Sequence, residues 1–425
     1  MQRKDGDANP LKRFLSRLGP GLITGASDDD PSGIGTYSQA GASFGLGTLW
    51  TALFMLPLMI VVQHICAKIG MVSGRGLAGV LKTFYSQWLL YPAVLGLVVA
   101  NTINAGTDMA AIAAAINMFV PVPISVLVVP IAALIVALQI WGSYDLIVKV
   151  FKWLTLSLFA YIVAAFLARP NWGDVLYATI VPQFQLSGEY ITTMVALLGT
   201  TISPYLFFWQ ASEEVEEEVA EGRDKLTARL GATDTELKHE KWDTVTGMVL
   251  SNVVAYFVIL ATASTLFSAG KHEIQSATEA AQALRPFAGN AAGFLFAVGI
   301  IGTGLLGVPV LTGSSAYAVS EAFGWTCSLD EKPRHAKRFY SVIAISTLIG
   351  LLINFSGINP ITALFWTAVI NGVIAPPLLI LVMLVSNNKD VMGKRVNGVW
   401  ANIIGGLAAV IMFAAAIGMF LTWNG

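Results

Sequence analysis

Long apolar stretches separated by short polar segments set the organisation of this chain. They run near 18–42, 46–69, 88–119, 124–141, 147–168, 187–211, 243–268, 288–322, 338–357, 360–386 and 397–423, eleven in all. A hydrocarbon core of about 30 Å takes about 20 apolar residues per helix. The pattern therefore predicts an all-α integral membrane protein of about 11 transmembrane helices, and an odd number of crossings puts the termini on opposite faces. One polar segment is longer than the rest, "ASEEVEEEVAEGRDKLTARLGATDTELKHEKWD" at 211–243. Its acidic start, Glu213–Glu218, reads as a solvated helical end and loop, the usual meaning of a charge run. The alternative is an acidic mouth that gathers cations.

Composition agrees with membrane insertion. The chain is 55% hydrophobic and 12% charged, roughly half the charge of a soluble domain, with a mean hydropathy of +0.68. With the N-terminus inside, 22 of the 25 Lys and Arg residues fall on the inner side, leaving only Arg169, Lys271 and Arg285 outside. That asymmetry fixes the orientation. No small-residue cleavage site follows the first apolar run, so no removable signal peptide is expected. Cys66 and Cys327 are too few and too far apart to argue a disulfide or a metal cluster. No basic and aromatic stripe points to nucleic acid, and no nucleophile and base lie together in the spans, so the chain does not read as an enzyme.

Two spans carry interruptions that the others do not match: "SDDDPSGIG" at 27–35 and "GTTISPYLF" at 199–207. Pro31 and Pro204 lie five spans apart, and an odd offset turns the second half over in the membrane relative to the first. Spans 1–5 and 6–10 then form an inverted repeat, an arrangement in which transporters carry substrate at the midplane between two broken helices. Ordinary proline kinks are the alternative. A carboxylate within a span is costly enough to face a bundle interior or a water-filled path. Asp30, next to the proline, is the first candidate for contact with a cation, with Asp29 or Asp28 adding charge or holding water. The facing break offers Thr200, Thr201, Ser203 and the carbonyls before Pro204. All are hard oxygens, which suit magnesium, calcium or manganese better than the soft sulfur-preferring metals. Asp108 in span 3 lines the pathway or balances a dipole. Asn371 in span 10 adds an amide oxygen or bonds a neighbouring helix. Met194 reads as packing, and none of the four histidines falls in either break.

"GPGLITGASDDDPSGIGTYSQAGASFGLGTLW", with "RPNW" and "GTTISPYLF" further on, resembles the Nramp divalent-metal transporters, and the likeness covers all eleven spans in order. It implies a LeuT-type 5+5 inverted repeat with helices 1 and 6 broken, moving manganese or iron, typically with protons. Asp30 matches the family's metal-binding aspartate and Pro31 its proline, while Gly33 stands where the family has its binding asparagine. Thr200, Ser203, Pro204 and Tyr205 stand where the family has alanine, methionine, proline and histidine. Gln210 replaces a second histidine, Ala111 the glutamate of the proton route, and Ala368 a glutamine, with Asn371 one turn on. The soft ligand and the titratable groups are thus absent, a pattern that resembles the prokaryotic Nramp-related magnesium transporters.

The expectation is a secondary transporter importing Mg2+, and also Mn2+, without proton coupling. The alternative is a proton-coupled Mn2+ or Fe2+ importer of the ordinary Nramp type. The metal site is expected at Asp30, Asp29, Thr200, Ser203, Gly33 and Asn371, with Asp28, Asp108 and Tyr205 along the pathway. Small Gly33 is expected to leave room for a hydrated ion. The chain divides into a cytoplasmic N-terminus (1–17), a first repeat (18–170), a second (187–386) with a cytoplasmic loop (212–242), and span 11 (397–423). A monomer without cofactor or nucleic-acid partner is expected, multi-pass in the prokaryotic cytoplasmic membrane.

Overall fold

The computed structural model describes residues 19–141, 156–329 and 333–422. Segment 1–17, Lys149, Lys152 and Lys332 lie outside the described residues. Among those described there is no strand, and the longer helices are α1 (Pro20–Asp28), α2 (Pro31–Phe44), α3 (Trp50–Ser73), α4 (Leu77–Phe84), α5 (Gln87–Asn117), α6 (Ile124–Trp141), α7 (Ala160–Leu167), α8 (Trp172–Ile180), α9 (Gly188–Thr201), α10 (Pro204–Ala220), α11 (Asp234–Thr265), α12 (Ala292–Phe323), α13 (Lys337–Ile353), α14 (Pro360–Asn387) and α15 (Val399–Thr422). Eight helical stretches among the described residues are long and apolar enough to cross a membrane, and they are the second, third, fourth, sixth, seventh, eighth, tenth and eleventh stretches of the sequence. The ninth is α13, 17 residues long. The fifth is described only from residue 156. The first is split into α1 and α2, of 9 and 14 residues.

Both expected breaks are present. Proline removes a backbone N–H and disfavours the helical region for its predecessor, yet Pro57, Pro92, Pro130, Pro309 and Pro376 lie inside unbroken helices. What distinguishes Pro31 and Pro204 is the residue before them. Asp30 and Ser203 are residues that favour a helix start, whereas the others follow Leu56, Tyr91, Val129, Val308 and Ala375. Asp30 is extended at ψ 169° and Ser203 at ψ 134°, and each proline opens the next helix.

The half-helix ahead of each break is seated by glycines, the device by which membrane helices bring their backbones together. α1 lies on α11: a Cβ on Gly25 would stand 2.3 Å from the Gly247 carbonyl, and one on Gly247 2.1 Å from that of Gly21. α9 lies on α14 in the same manner, since a Cβ on Gly199 would meet the Ala368 carbonyl at 2.1 Å and one on Gly372 that of Val195 at 2.2 Å.

The expected loop at 212–242 is mostly helix. α10 runs on to Ala220, and α11 starts at Asp234 behind a capping box in which Thr233 accepts from the Glu236 N–H and Glu236 accepts from that of Thr233. Only 221–233 lies between the two helices.

Candidate metal centre

Asp30 caps α2 and is held at both oxygens. Its Oδ1 accepts from Ser32 Oγ at 2.7 Å and from the Gly33 N–H at 2.8 Å, and its Oδ2 accepts from Asn104 Nδ2 of α5 at 3.2 Å. A carboxylate at this place is favoured by the positive end of the helix. Asp28 and Asp29 take another direction. Ser251 Oγ on α11 lies 2.7 Å from Asp28 Oδ2 and 3.3 Å from Asp29 Oδ1, so the three aspartates divide between two neighbours, as an unwound turn permits.

The second break contributes no charge. Thr201 Oγ1 donates to the Leu197 carbonyl, and Ser203 Oγ lies 2.8 Å from each of the carbonyls of Gly199 and Thr200. These hydroxyls donate to the end of α9 and keep their lone pairs. The two breaks meet at Gly33, where a Cβ would stand 3.1 Å from Thr200 Oγ1 and from the Asp28 carbonyl. The room expected beside Gly33 is therefore filled in this arrangement. Tyr205 ties the breaks together, its OH donating to the Ser27 carbonyl at 2.9 Å while its own carbonyl accepts from Ser314 Oγ on α12.

α12 lies against the first break. A Cβ on Gly307 would stand 3.0 Å from Asp30 Cβ and 3.8 Å from Asp108 Oδ2. This places Asp108 beside Asp30. Neither Asp108 oxygen has a hydrogen-bond partner among the described residues, although the Ser32 N–H faces it outside bonding geometry. Asn371 is buried on α14 next to the Gly372 crossing, and neither of its side-chain polar atoms has a partner among the described residues. Met194 packs in the apolar core, as expected. Asp30, Thr200 and Ser203 are at most 2% exposed, so the junction is sealed in this arrangement.

Two side chains at the junction escape a reading of the sequence: Asn104, on Asp30, and Ser251, on Asp28 and Asp29. An Asn or Ser in an apolar helix reads as an interhelical bond, and only the packing says to what. Among the described residues no three His, Cys, Asp or Glu side chains gather as a metal cluster. Carboxylates among hydroxyl, amide and carbonyl oxygens suit a hard cation better than a soft one.

The acidic run corrects the expectation of a solvated end. Glu213, Glu214 and Glu218 are buried, because α10 packs against α3, α12 and α1. Glu214, Glu217, Glu218 and Glu221 line a cavity of about 330 Å³ together with Glu236, Glu240 and Asp243. Arg223 stands among them, paired with Glu218, Glu221 and Glu236, and its bond to Glu236 holds the guanidinium above its ordinary range. Asp243 also accepts from the Gly21 and Leu22 N–H groups, at 2.8 and 3.2 Å, fixing the start of α1. Gln210 donates to Glu214 from the turn above.

Comparison with known proteins follows the same lines. The family model described as "Natural resistance-associated macrophage protein-like", Nramp, matches residues 21–422. A protein of Bacillus subtilis named divalent metal cation transporter MntH is 25% identical over 96% of this chain and 93% of its own. One of the same name from Clostridium acetobutylicum is 26% identical over 100% of this chain and 95% of its own. Among solved structures, an Eremococcus coleocola manganese transporter superposes with a TM-score of 0.73 at 17% identity, covering 97% of this chain and 87% of that one. Mhp1 in an inward-facing conformation superposes at 0.55 with 13% identity, covering 96% of this chain and 91% of that one. The match along almost the whole length, on a broken-helix fold of the LeuT type, establishes that this chain belongs to the Nramp family.

Proposed function

We propose that this protein imports divalent metal cations, with Mg2+ preferred and Mn2+ also carried, and that it does so without moving protons. The observation that supports this reading most is the donor set at the junction: the Asp30 carboxylate with Thr200, Ser203 and the carbonyls of Gly199 and Thr200, all of them oxygen. Mg2+ keeps several waters and is bound through one or two carboxylates. A site without thioether or imidazole offers soft metals no advantage. Asp29, Gly33 and Asn371 complete the proposed metal site, with Asp28, Asp108 and Tyr205 along the path to it.

In this reading the chain acts as a monomer in the prokaryotic cytoplasmic membrane with its N-terminus in the cytoplasm. The repeats 18–170 and 187–386 rock about the two breaks. Uptake needs no second ion, because two charges crossing 100 mV gain about 4.6 kcal/mol. The acidic cavity between α10 and α11 is then the inner mouth, where Arg223 serves as counter-ion.

A proton-coupled Mn2+ or Fe2+ importer is the second reading. It is favoured by the manganese in the name of the similar solved structure and by Asp108 beside Asp30 as a relay. Reconstitution in liposomes, following Mg2+ entry and internal pH together, separates the two. Mg2+ entry at constant internal pH is the expected result, and acidification linked to the metal would overturn the uncoupled reading.

A further inference from the structure

We infer that Asn104 is a ligand to the transported cation, its carboxamide turning over to present Oδ1 to an ion held by Asp30. The inference rests on the divalent-cation reading above. Asn104 is wholly buried on α5, with Nδ2 donating to Asp30 Oδ2 at 3.2 Å. Its Oδ1 has no hydrogen-bond partner among the described residues. A buried amide oxygen without a donor is a costly arrangement, and one that a cation relieves.

Distance and chemistry agree. Six oxygens at about 2.1 Å around Mg2+ place neighbouring ligands about 3.0 Å apart. Turning the carboxamide about its Cβ–Cγ bond exchanges Nδ2 for Oδ1, so an oxygen then stands near 3.2 Å from Asp30 Oδ2, close to one edge of such an octahedron. Without a cation, two acceptors at that separation repel and the amide donor faces Asp30. With a cation between them, the orientation that offers two oxygens is favoured. Thr200 of the second break lies beside Gly33, and α5 faces Asp30 with Asn104, so the third span adds an amide oxygen to the site.

Three variants in the full-length protein test this, with Kd for Mn2+ read by electron paramagnetic resonance, Kd for Mg2+ by competition, and KM from proteoliposome uptake. Asn104→Leu keeps the shape and removes the oxygen, and should raise Kd and KM for both ions by about 10- to 100-fold. Asn104→Asp keeps an oxygen but, as a carboxylate, does not donate to Asp30, and should weaken binding by no more than about threefold. Asn104→Ala serves where Asn104→Leu does not fold, as judged by thermal melting. Wild-type affinity in Asn104→Leu or Asn104→Ala overturns the inference. So does equal loss in Asn104→Asp and Asn104→Leu, which would make the amide a donor that only positions Asp30. Wild type that neither binds nor carries a divalent cation would instead sink the functional reading itself.

Discussion

The two breaks share a backbone plan and differ in what they bring to it. Each ends a half-helix that rides on a glycine crossing, and each restarts at a proline. At the first, Asp30 turns its carboxylate onto the new helix and accepts from the Gly33 N–H. At the second, Ser203 turns its hydroxyl back onto the carbonyls of the helix just ended. One break thus carries a negative charge fixed by three donors, and the other carries neutral oxygens with no side-chain cap among the described residues. In the proposed function this asymmetry divides the labour: the first break supplies attraction, and the second shapes what is attracted.

Removing the charge should break the arrangement outright. Asp30→Ala is expected to abolish uptake in proteoliposomes while leaving the protein folded, and measurable Mg2+ entry would refute the assignment. Gly247→Leu comes next. Its side chain would run into the Gly21 carbonyl, which lies 2.1 Å from an added Cβ, and overpacking of this kind costs about 1–3 kcal/mol or more. Because α1 carries the first break, both thermal stability and transport should fall, and an unchanged melting temperature would count against the crossing. Ser203→Met sharpens the comparison rather than breaking it. A thioether at the second break should shift competition toward transition metals, and unchanged selectivity would show that this break does not face the ion. Glu214→Gln should have the smallest effect, a modest fall in uptake at low metal concentration. Loss as complete as that of Asp30→Ala would place the acidic cavity in the site itself.

Much of this was legible in the sequence, for physical reasons that apply position by position. The spans show in apolar run length, and the breaks show in Asp30 and Ser203 standing before a proline within a span, where Pro57, Pro92, Pro130, Pro309 and Pro376 follow apolar residues. Asp30 stands out because a carboxylate is costly there. Asn104 does not, since amides commonly bond between membrane helices and its direction depends on how α5 lies against α2. The acidic run misleads for the same reason. Its glutamates look solvated along one helix and are covered by α3, α12 and α1, which lie far away in the sequence. The expected space at Gly33 is likewise a matter of packing, because Thr200 and the Asp28 carbonyl fill it.

The central claim is that a charged first break and an all-oxygen second break select a hard divalent cation. Ion competition in proteoliposomes tests it most directly, with Mn2+ entry followed against rising Mg2+, Ca2+ and Zn2+. The account predicts that Mg2+ in excess slows Mn2+ entry and is itself carried, while Zn2+ gains no advantage over it. Mn2+ entry that excess Mg2+ leaves untouched would contradict it.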